Sequence, residues 1–265
     1  MRRVLPLLVC LCLPACSRGV PTPTSAGGNA PSSEERPGVV QVPPPGGGAA
    51  ATPAQSQARQ ADVEHGAVIA AQGTAAGAPA CAQCHAFNGV SDASGAFPRI
   101  AGQSNEYLAK QLRDFASGVR SNALMSPIAK TLTAQDVVDV AAYYAGVDAP
   151  FLPLKAPDPE LVKLGETLAT VGNARRQIQS CNNCHGPGGV GLPPAIPYLG
   201  GQYAHYIAFT LREWQRDFRQ SSPNQMAVVA HKLDKQEIAA VAAYYQQVMS
   251  SPLNLAKTQP KKREK

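Results

Sequence analysis

The sequence predicts an all-α protein, two tandem helical domains following an extended N-terminal tether. Three observations carry that prediction. A pattern of about 100 residues occurs twice, once on either side of a Pro-rich stretch at 150–159. Within each copy apolar residues recur at helical spacing, and no run shows the sustained alternation of a strand. Residues 17 to about 60 are dominated by Pro, Gly, Ala, Ser and Thr, too few large apolar side chains to offset the entropy of ordering.

The chain starts with Arg2 and Arg3 ahead of an apolar run over residues 4–15. That run is too short for a mature membrane span and reads as an export signal. It closes on Leu13-Pro14-Ala15-Cys16, which resembles a bacterial lipobox, where a signal is cut just before a lipid-modified cysteine. On this reading residues 1–15 are a lipoprotein signal peptide and Cys16 carries the lipid. Residues 16–60 then form a lipid-anchored tether centred on Pro43-Pro44-Pro45-Gly46-Gly47-Gly48, spanning ~35–40 Å as a flexible coil. The alternative is an ordinary signal cut near Ser17, which would release a soluble protein into the periplasm.

Two pentapeptides dominate the chain beyond the tether, Cys81-Ala82-Gln83-Cys84-His85 and Cys181-Asn182-Asn183-Cys184-His185. Cys-x-x-Cys-His is the attachment signature of a c-type haem. The two sulfurs add across the vinyl groups on one porphyrin edge, and the adjacent histidine is then held under the iron as an axial ligand. A structural zinc site is the competing reading, but its cysteine pairs usually lie about 15–20 residues apart. Here 97 positions separate Cys84 from Cys181. A thioredoxin-like redox pair would need a strand–helix alternation, which is missing nearby. The cysteine count agrees with two covalently bound haems, because the chain has 7 cysteines. Cys10 and Cys12 leave with the signal, four sit in the haem strings and Cys16 takes lipid.

The repeat then runs in register. Pro98 to Gln103 answers Pro197 to Gln202, and Leu112-Arg113-Asp114-Phe115 answers Leu211-Arg212-Glu213-Trp214. Met125 answers Met226, and Val140 to Tyr144 answers Val241 to Tyr245. Tyr107, Leu108, Leu112 and Phe115 define one helical stripe, and Tyr206, Ile207, Leu211, Trp214 and Phe218 its counterpart. Thr133 and Asp234 are start signals for the last helix of each copy. A further helix precedes each haem string and carries Gly66 or Gly165. The domains are placed at 61–149 and 158–250, with a connector at 150–157 whose Phe151 and Leu152 can pack between them, and a basic tail at 251–265. Each copy is short for a self-sufficient core, and a covalently bound haem supplies the missing apolar body.

On these residues the chain resembles a dihaem member of the class I cytochromes c, most closely the cytochrome c4 family, over residues 62 to about 250. The resemblance implies two tandem class I cytochrome c domains. It implies a distal methionine on each iron, Met125 and Met226, opposite His85 and His185. It implies that the Pro98 and Pro197 carbonyls accept the proximal imidazole N–H, and that Gly66 and Gly165 let the first helix of each domain cross the last against the paired tyrosines. The chemistry is coherent on its own terms. A thioether is a soft neutral donor that raises the reduction potential, and a filled sixth position keeps oxygen and peroxide off the iron. Met125 and Met226 occupy equivalent repeat positions, whereas His205 and His231 align with Glu106 and Lys130. His65 reads as a solvated side chain before the first helix, and Phe87 and Trp214 read as core.

The halves are oppositely charged. Residues 62–150 hold 5 Lys and Arg against 8 Asp and Glu, and residues 151–265 hold 14 against 8. That asymmetry suits electrostatic steering onto redox partners. Nucleic-acid binding does not fit an exported haem protein. The expected function is a periplasm-facing, membrane-tethered electron carrier and not an enzyme. The resemblance implies partners such as a quinol-oxidising complex or periplasmic dehydrogenase as donor, and a haem–copper terminal oxidase as acceptor. The alternative is a haem subunit or a catalytic dihaem enzyme, such as a peroxidase or a sulfur-compound dehydrogenase. Those need an open iron or an extra thiolate, for which the mature chain has no spare cysteine.

Overall fold

Local capping chemistry sets where the helices begin. The computed structural model describes residues 60–92 and 94–249. The export signal, Cys16, nearly all of the tether and the basic tail at 251–265 lie outside the described residues. In the first half, α1 (Val63–Gln72) is capped by Asp62, whose carboxylate accepts from the His65 amide at 3.0 Å. The short α2 (Ala82–His85) is the haem string itself. Ser104 caps α3 (Asn105–Ser117), which ends on Gly118 in the left-handed region. Then come α4 (Met125–Lys130) and α5 (Ala134–Gly146). Thr133 and Asp136 close a capping box at the start of α5.

The second half repeats this order with α6 (Pro159–Thr170), α7 (Asn182–His185), α8 (Ala204–Gln215), α9 (Met226–Lys232) and α10 (Lys235–Gln247). Asp234 and Glu237 form the matching capping box on α10. Thr133 and Asp234 are therefore the helix starts expected of them.

Each half is organised on the crossing of its first and last helix. A Cβ on Gly66 would stand 2.6 Å from the Asp139 carbonyl carbon, and one on Gly165 2.6 Å from that of Ala240. Only a hydrogen at these positions lets the two backbones touch. Tyr143 and Tyr244 flank the crossings, as the resemblance implies. Ile69, Val140 and Tyr144 bury the first core, and Ile207, Leu211, Trp214, Ile238 and Tyr245 the second.

Two details depart from expectation. A small antiparallel hairpin, β1 (Gly172–Asn173) and β2 (Ile178–Gln179), precedes the second haem string. Gly172 at φ +90° and Gln177 in the left-handed region turn the chain back, and two-residue strands are too short to leave an alternation in the sequence. Phe218 is not on the α8 stripe. The helix stops at Gln215 and the Phe218 ring is 57% exposed.

The described residues fall within one compact unit, and the two halves meet along a seam with reciprocal bonding. Gln103 donates to the Tyr198 carbonyl at 3.1 Å and accepts from the Tyr198 amide at 3.2 Å. Gln202 donates to the Arg99 carbonyl at 2.7 Å and accepts from the Arg99 amide at 3.0 Å. Arg99 and Tyr198 hold equivalent repeat positions, so one interaction is made twice. Further along, the Ser121 amide donates to the Phe218 carbonyl at 3.0 Å and the Gln220 amide to that of Val119 at 2.8 Å. In the connector, Phe151 lies 4.6 Å from the Arg99 guanidinium and sits against Gly201 of the second half, whereas Leu152 joins Val90, Ala101 and Ala149 of the first.

Candidate haem-binding sites

Both haem strings sit on a single helical turn, so that the two thiols of each share one side of it. Cys81 and Cys181 occupy the turn before α2 and α7, with Cys84 and Cys184 three residues on. No disulfide pairs any of these four. His85 and His185 end these turns and are buried, 9% and 7% exposed. The backbone reverses sharply after each, through Ala86 at φ +58° and Gly186 at φ +74°. The Ser91 and Gly191 amides then donate back to the His85 and His185 carbonyls at 3.0 and 2.6 Å.

The imidazoles are held identically. His85 Nδ1 lies 3.1 Å from the Pro98 carbonyl and His185 Nδ1 2.8 Å from that of Pro197. A carbonyl only accepts, so Nδ1 carries the proton and Nε2 keeps its lone pair. Burial lowers the pKa of both rings and outweighs the opposing pull of the carbonyls, favouring the neutral imidazole that metal ligation needs. Two thiols one turn apart beside an imidazole with a free Nε2 fit a covalently attached haem.

Met125 and Met226 are the first residues of α4 and α9, both half-buried. Asn122 anchors the first, its carboxamide oxygen accepting from the Met125 amide at 2.9 Å. Met226 packs on the second core. The competing histidines are engaged elsewhere. His205 Nδ1 faces the Gly95 carbonyl at 3.4 Å, and His231 Nδ1 faces that of Ala227 within its own helix at 2.8 Å.

Trp214 is core, as its pattern suggests, with the indole N–H donating to the Ser221 carbonyl at 2.8 Å. Two other side chains differ from their sequence reading. His65 lies inside α1 and pairs with buried Asp139 at 2.8 Å. Phe87 is not core. Its ring is half exposed and leans on Tyr143 at 5.2 Å. Arg120 and Arg219 meet across the seam, and their recurrence 99 positions apart is the one sign of it in the sequence.

Comparison with known proteins agrees with this architecture. Residues 63–147 match the family described as "Cytochrome c", and residues 169–244 the family described as "Cytochrome C oxidase, cbb3-type, subunit III". Cytochrome c4 of Pseudomonas aeruginosa is 37% identical over 185 residues, 69% of this chain and 90% of that one. The chain belongs to the cytochrome c4 family. A "Thiosulfate dehydrogenase electron acceptor" of Stutzerimonas stutzeri is 38% identical over 191 residues, 71% of this chain and 88% of its own length. The crystal structure of reduced cytochrome c4 from Pseudomonas stutzeri superposes with a TM-score of 0.62 at 32% identity, covering 71% of this chain and 98% of that one. The thiosulfate dehydrogenase TsdBA of Marichromatium purpuratum superposes with a TM-score of 0.65 at 39% identity. The match covers 70% of this chain, which spans only 40% of that longer one. The protein is thus a dihaem electron-transfer cytochrome of two tandem cytochrome c domains. Cys81 and Cys84 attach one c-type haem, and Cys181 and Cys184 the other.

Proposed function

We propose that this cytochrome is a periplasm-facing electron carrier, tethered to a bacterial membrane by lipid on Cys16, with both irons closed by protein ligands. A bound haem supplies a one-electron iron couple. His85 and Met125 hold one iron, and His185 and Met226 the other. The observation that carries the reading is the repeated bond from each imidazole Nδ1 to a proline carbonyl, at 3.1 and 2.8 Å. It fixes the ring orientation and tautomer, so ligand geometry need change little between oxidation states. Methionines at matching helix starts supply the soft sixth donor. Among the described residues no helix is long and apolar enough to cross a membrane, and on this reading the lipid does the anchoring.

Electrons would arrive from a quinol-oxidising complex or a periplasmic dehydrogenase and leave to a haem–copper oxidase. The relative named as a thiosulfate dehydrogenase electron acceptor favours one donor in particular, a thiosulfate-oxidising enzyme. The protein remains a carrier in that case too.

One preparation tests the reading. The full-length ferric protein should be low-spin at both haems, and Met226→Ala should open only the second and Met125→Ala only the first. Reduced protein should be reoxidised by oxidase-containing membranes at a rate that falls as salt screens the encounter. Cys16→Ser should leave the spectrum intact and move the protein from the membrane to the soluble fraction. A high-spin haem in the untreated protein, or rapid turnover of peroxide, sulfide or thiosulfate without a protein partner, would make one haem an active site instead.

A further inference from the structure

Met125 and Met226 begin short helices that are secured from opposite ends. In the first half the grip is local and lies at Met125 itself. The Asn122 carboxamide oxygen accepts from the Leu124 amide at 3.0 Å and from the Met125 amide at 2.9 Å. The Ser126 hydroxyl accepts in turn from the Asn122 amide at 3.1 Å. The second half has Pro223 and Ala227 at the positions of Asn122 and Ser126, so it cannot build that box. Gln225, just before α9, caps no amide with its side chain.

α9 is gripped instead at its other end, where the last carbonyls of a helix have no partner within it. Gln215, the last residue of α8, donates from Nε2 to the Ala230 carbonyl at 2.8 Å and to that of Leu233 at 2.9 Å. Arg176, in the turn of the hairpin, donates to the Lys232 carbonyl at 3.0 Å and to Asp234 at 2.8 Å. Lys232 donates back from its ammonium to the Gln177 carbonyl at 3.0 Å. The carbonyls of Ala230, Lys232 and Leu233 are thus all engaged by side chains of other elements. The first half lacks those side chains. Ala116 stands where Gln215 does, and Thr74-Ala75-Ala76-Gly77 takes the place of the hairpin turn.

We propose that Gln215 and Arg176 are positioning residues for Met226, setting through α9 how its thioether meets the second iron, as Asn122 does for Met125 at the first. The proposal rests on the reading of both methionines as ligands. α9 makes about two turns, and Met226 stands about 9 Å along the axis from Lys232. So short a helix moves as one body, and fixing its last turn places its first residue. Only Ser180 separates the hairpin from Cys181. The Arg176 bonds therefore join the segment that attaches the haem to the helix that supplies the opposite ligand. Arg176 and Asp234 are both half exposed, so their ion pair adds little energy. The contribution of Arg176 is geometric.

The test uses the full-length holoprotein. In the ferrous state each haem should shift one methionine methyl resonance far upfield, and Met125→Ala and Met226→Ala should each remove one, which assigns them. Gln215→Ala combined with Arg176→Ala should move or broaden the Met226 resonance and leave that of Met125 in place. Added imidazole should then bind the second ferric haem about fivefold more tightly, the factor that one lost hydrogen bond gives. Asn122→Ala should produce the mirror result, at the first haem alone. Arg176→Ala, at the surface, should give a smaller change of the same kind, and it serves alone if Gln215→Ala does not fold. If the two side chains only add stability, the double variant will melt earlier with methyl resonances and imidazole affinities unmoved, which overturns the proposal. A wild-type protein without a Met226 resonance overturns the ligand reading, and the proposal with it.

Discussion

The two halves hold the same helix crossing with different side chains. In the first, His65 pairs with Asp139 at 2.8 Å, and the Asp139 carboxylate also accepts from the Asp62 amide at 2.8 Å and from Gln135 at 2.7 Å. In the second, the corresponding residues are Leu164 and Ala240. The hairpin takes over there, with Asn173 donating to Glu237 at 2.8 Å and Arg176 to Asp234 at 2.8 Å. What stays constant is where backbone meets backbone, at Gly66 and Gly165, and at the histidine–proline bonds. What changes is which side chains pair beside them. Around those fixed contacts, a duplicated fold is free to exchange its side-chain pairs.

The largest expected break comes from the shared feature. Gly66→Ala and Gly165→Ala each force a methyl into a facing carbonyl, and each should cost about 3 kcal/mol. Hydrogen exchange on α1 and α6 would localise the loss to the half that was changed. Equal losses in both halves from one substitution would mean that the halves do not melt separately.

A smaller and opposite-signed pair lies just past the haem strings. Ala86 takes φ +58°, ψ 159°, a conformation tolerated by glycine, and its counterpart is Gly186. Ala86→Gly should stabilise the first half by about 1 kcal/mol, and Gly186→Ala should cost the second a similar amount. Thermal melts of the two variants should move in opposite directions.

The smallest effect is a pH dependence confined to the first half. Asp139 raises the pKa of His65, chiefly through their hydrogen bond, and although burial opposes it the bonds from His65, Asp62 and Gln135 draw the Asp139 carboxyl down. The histidine contribution is complete below its unfolded value of about 6.5 and is lost as pH rises through the higher folded value. The aspartate contribution is present above about 3.9 and is lost as pH falls through the lower folded value. Because His65 is half exposed, the pair is worth under about 1 kcal/mol. His65→Leu, which copies the second half, should remove the alkaline loss of protection on α1, while α6 shows none in either protein.

The parts legible in the sequence are those set by neighbours along the chain. Cys81 to His85 and Cys181 to His185 are local strings, Thr133 and Asp234 cap the helices they precede, and the repeat register places Met125 against Met226. The seam was not legible, because its partners are about 100 residues apart and equivalent residues pair crosswise. Gln103 and Gln202 could be matched in the repeat, yet matching does not tell that each bonds the other half. His65 falls inside α1 because Asp62 starts that helix earlier than its apolar pattern suggests. Phe218 fits the α8 periodicity, but the helix ends before reaching it.

The crosswise bonding of Gln103 and Gln202 has the form of a symmetric dimer whose two-fold axis is enclosed in one chain. In a true homodimer any substitution strikes both sides of the interface together. Here the sides are encoded separately, so Arg99 can stand opposite Tyr198, Thr210 can replace Gln111, and Glu213 can pair with Arg120 while Asp114 pairs with Lys110. Covalent linkage thus lets a symmetric joint carry an asymmetric charge, and two irons in near-identical pockets need not share one potential.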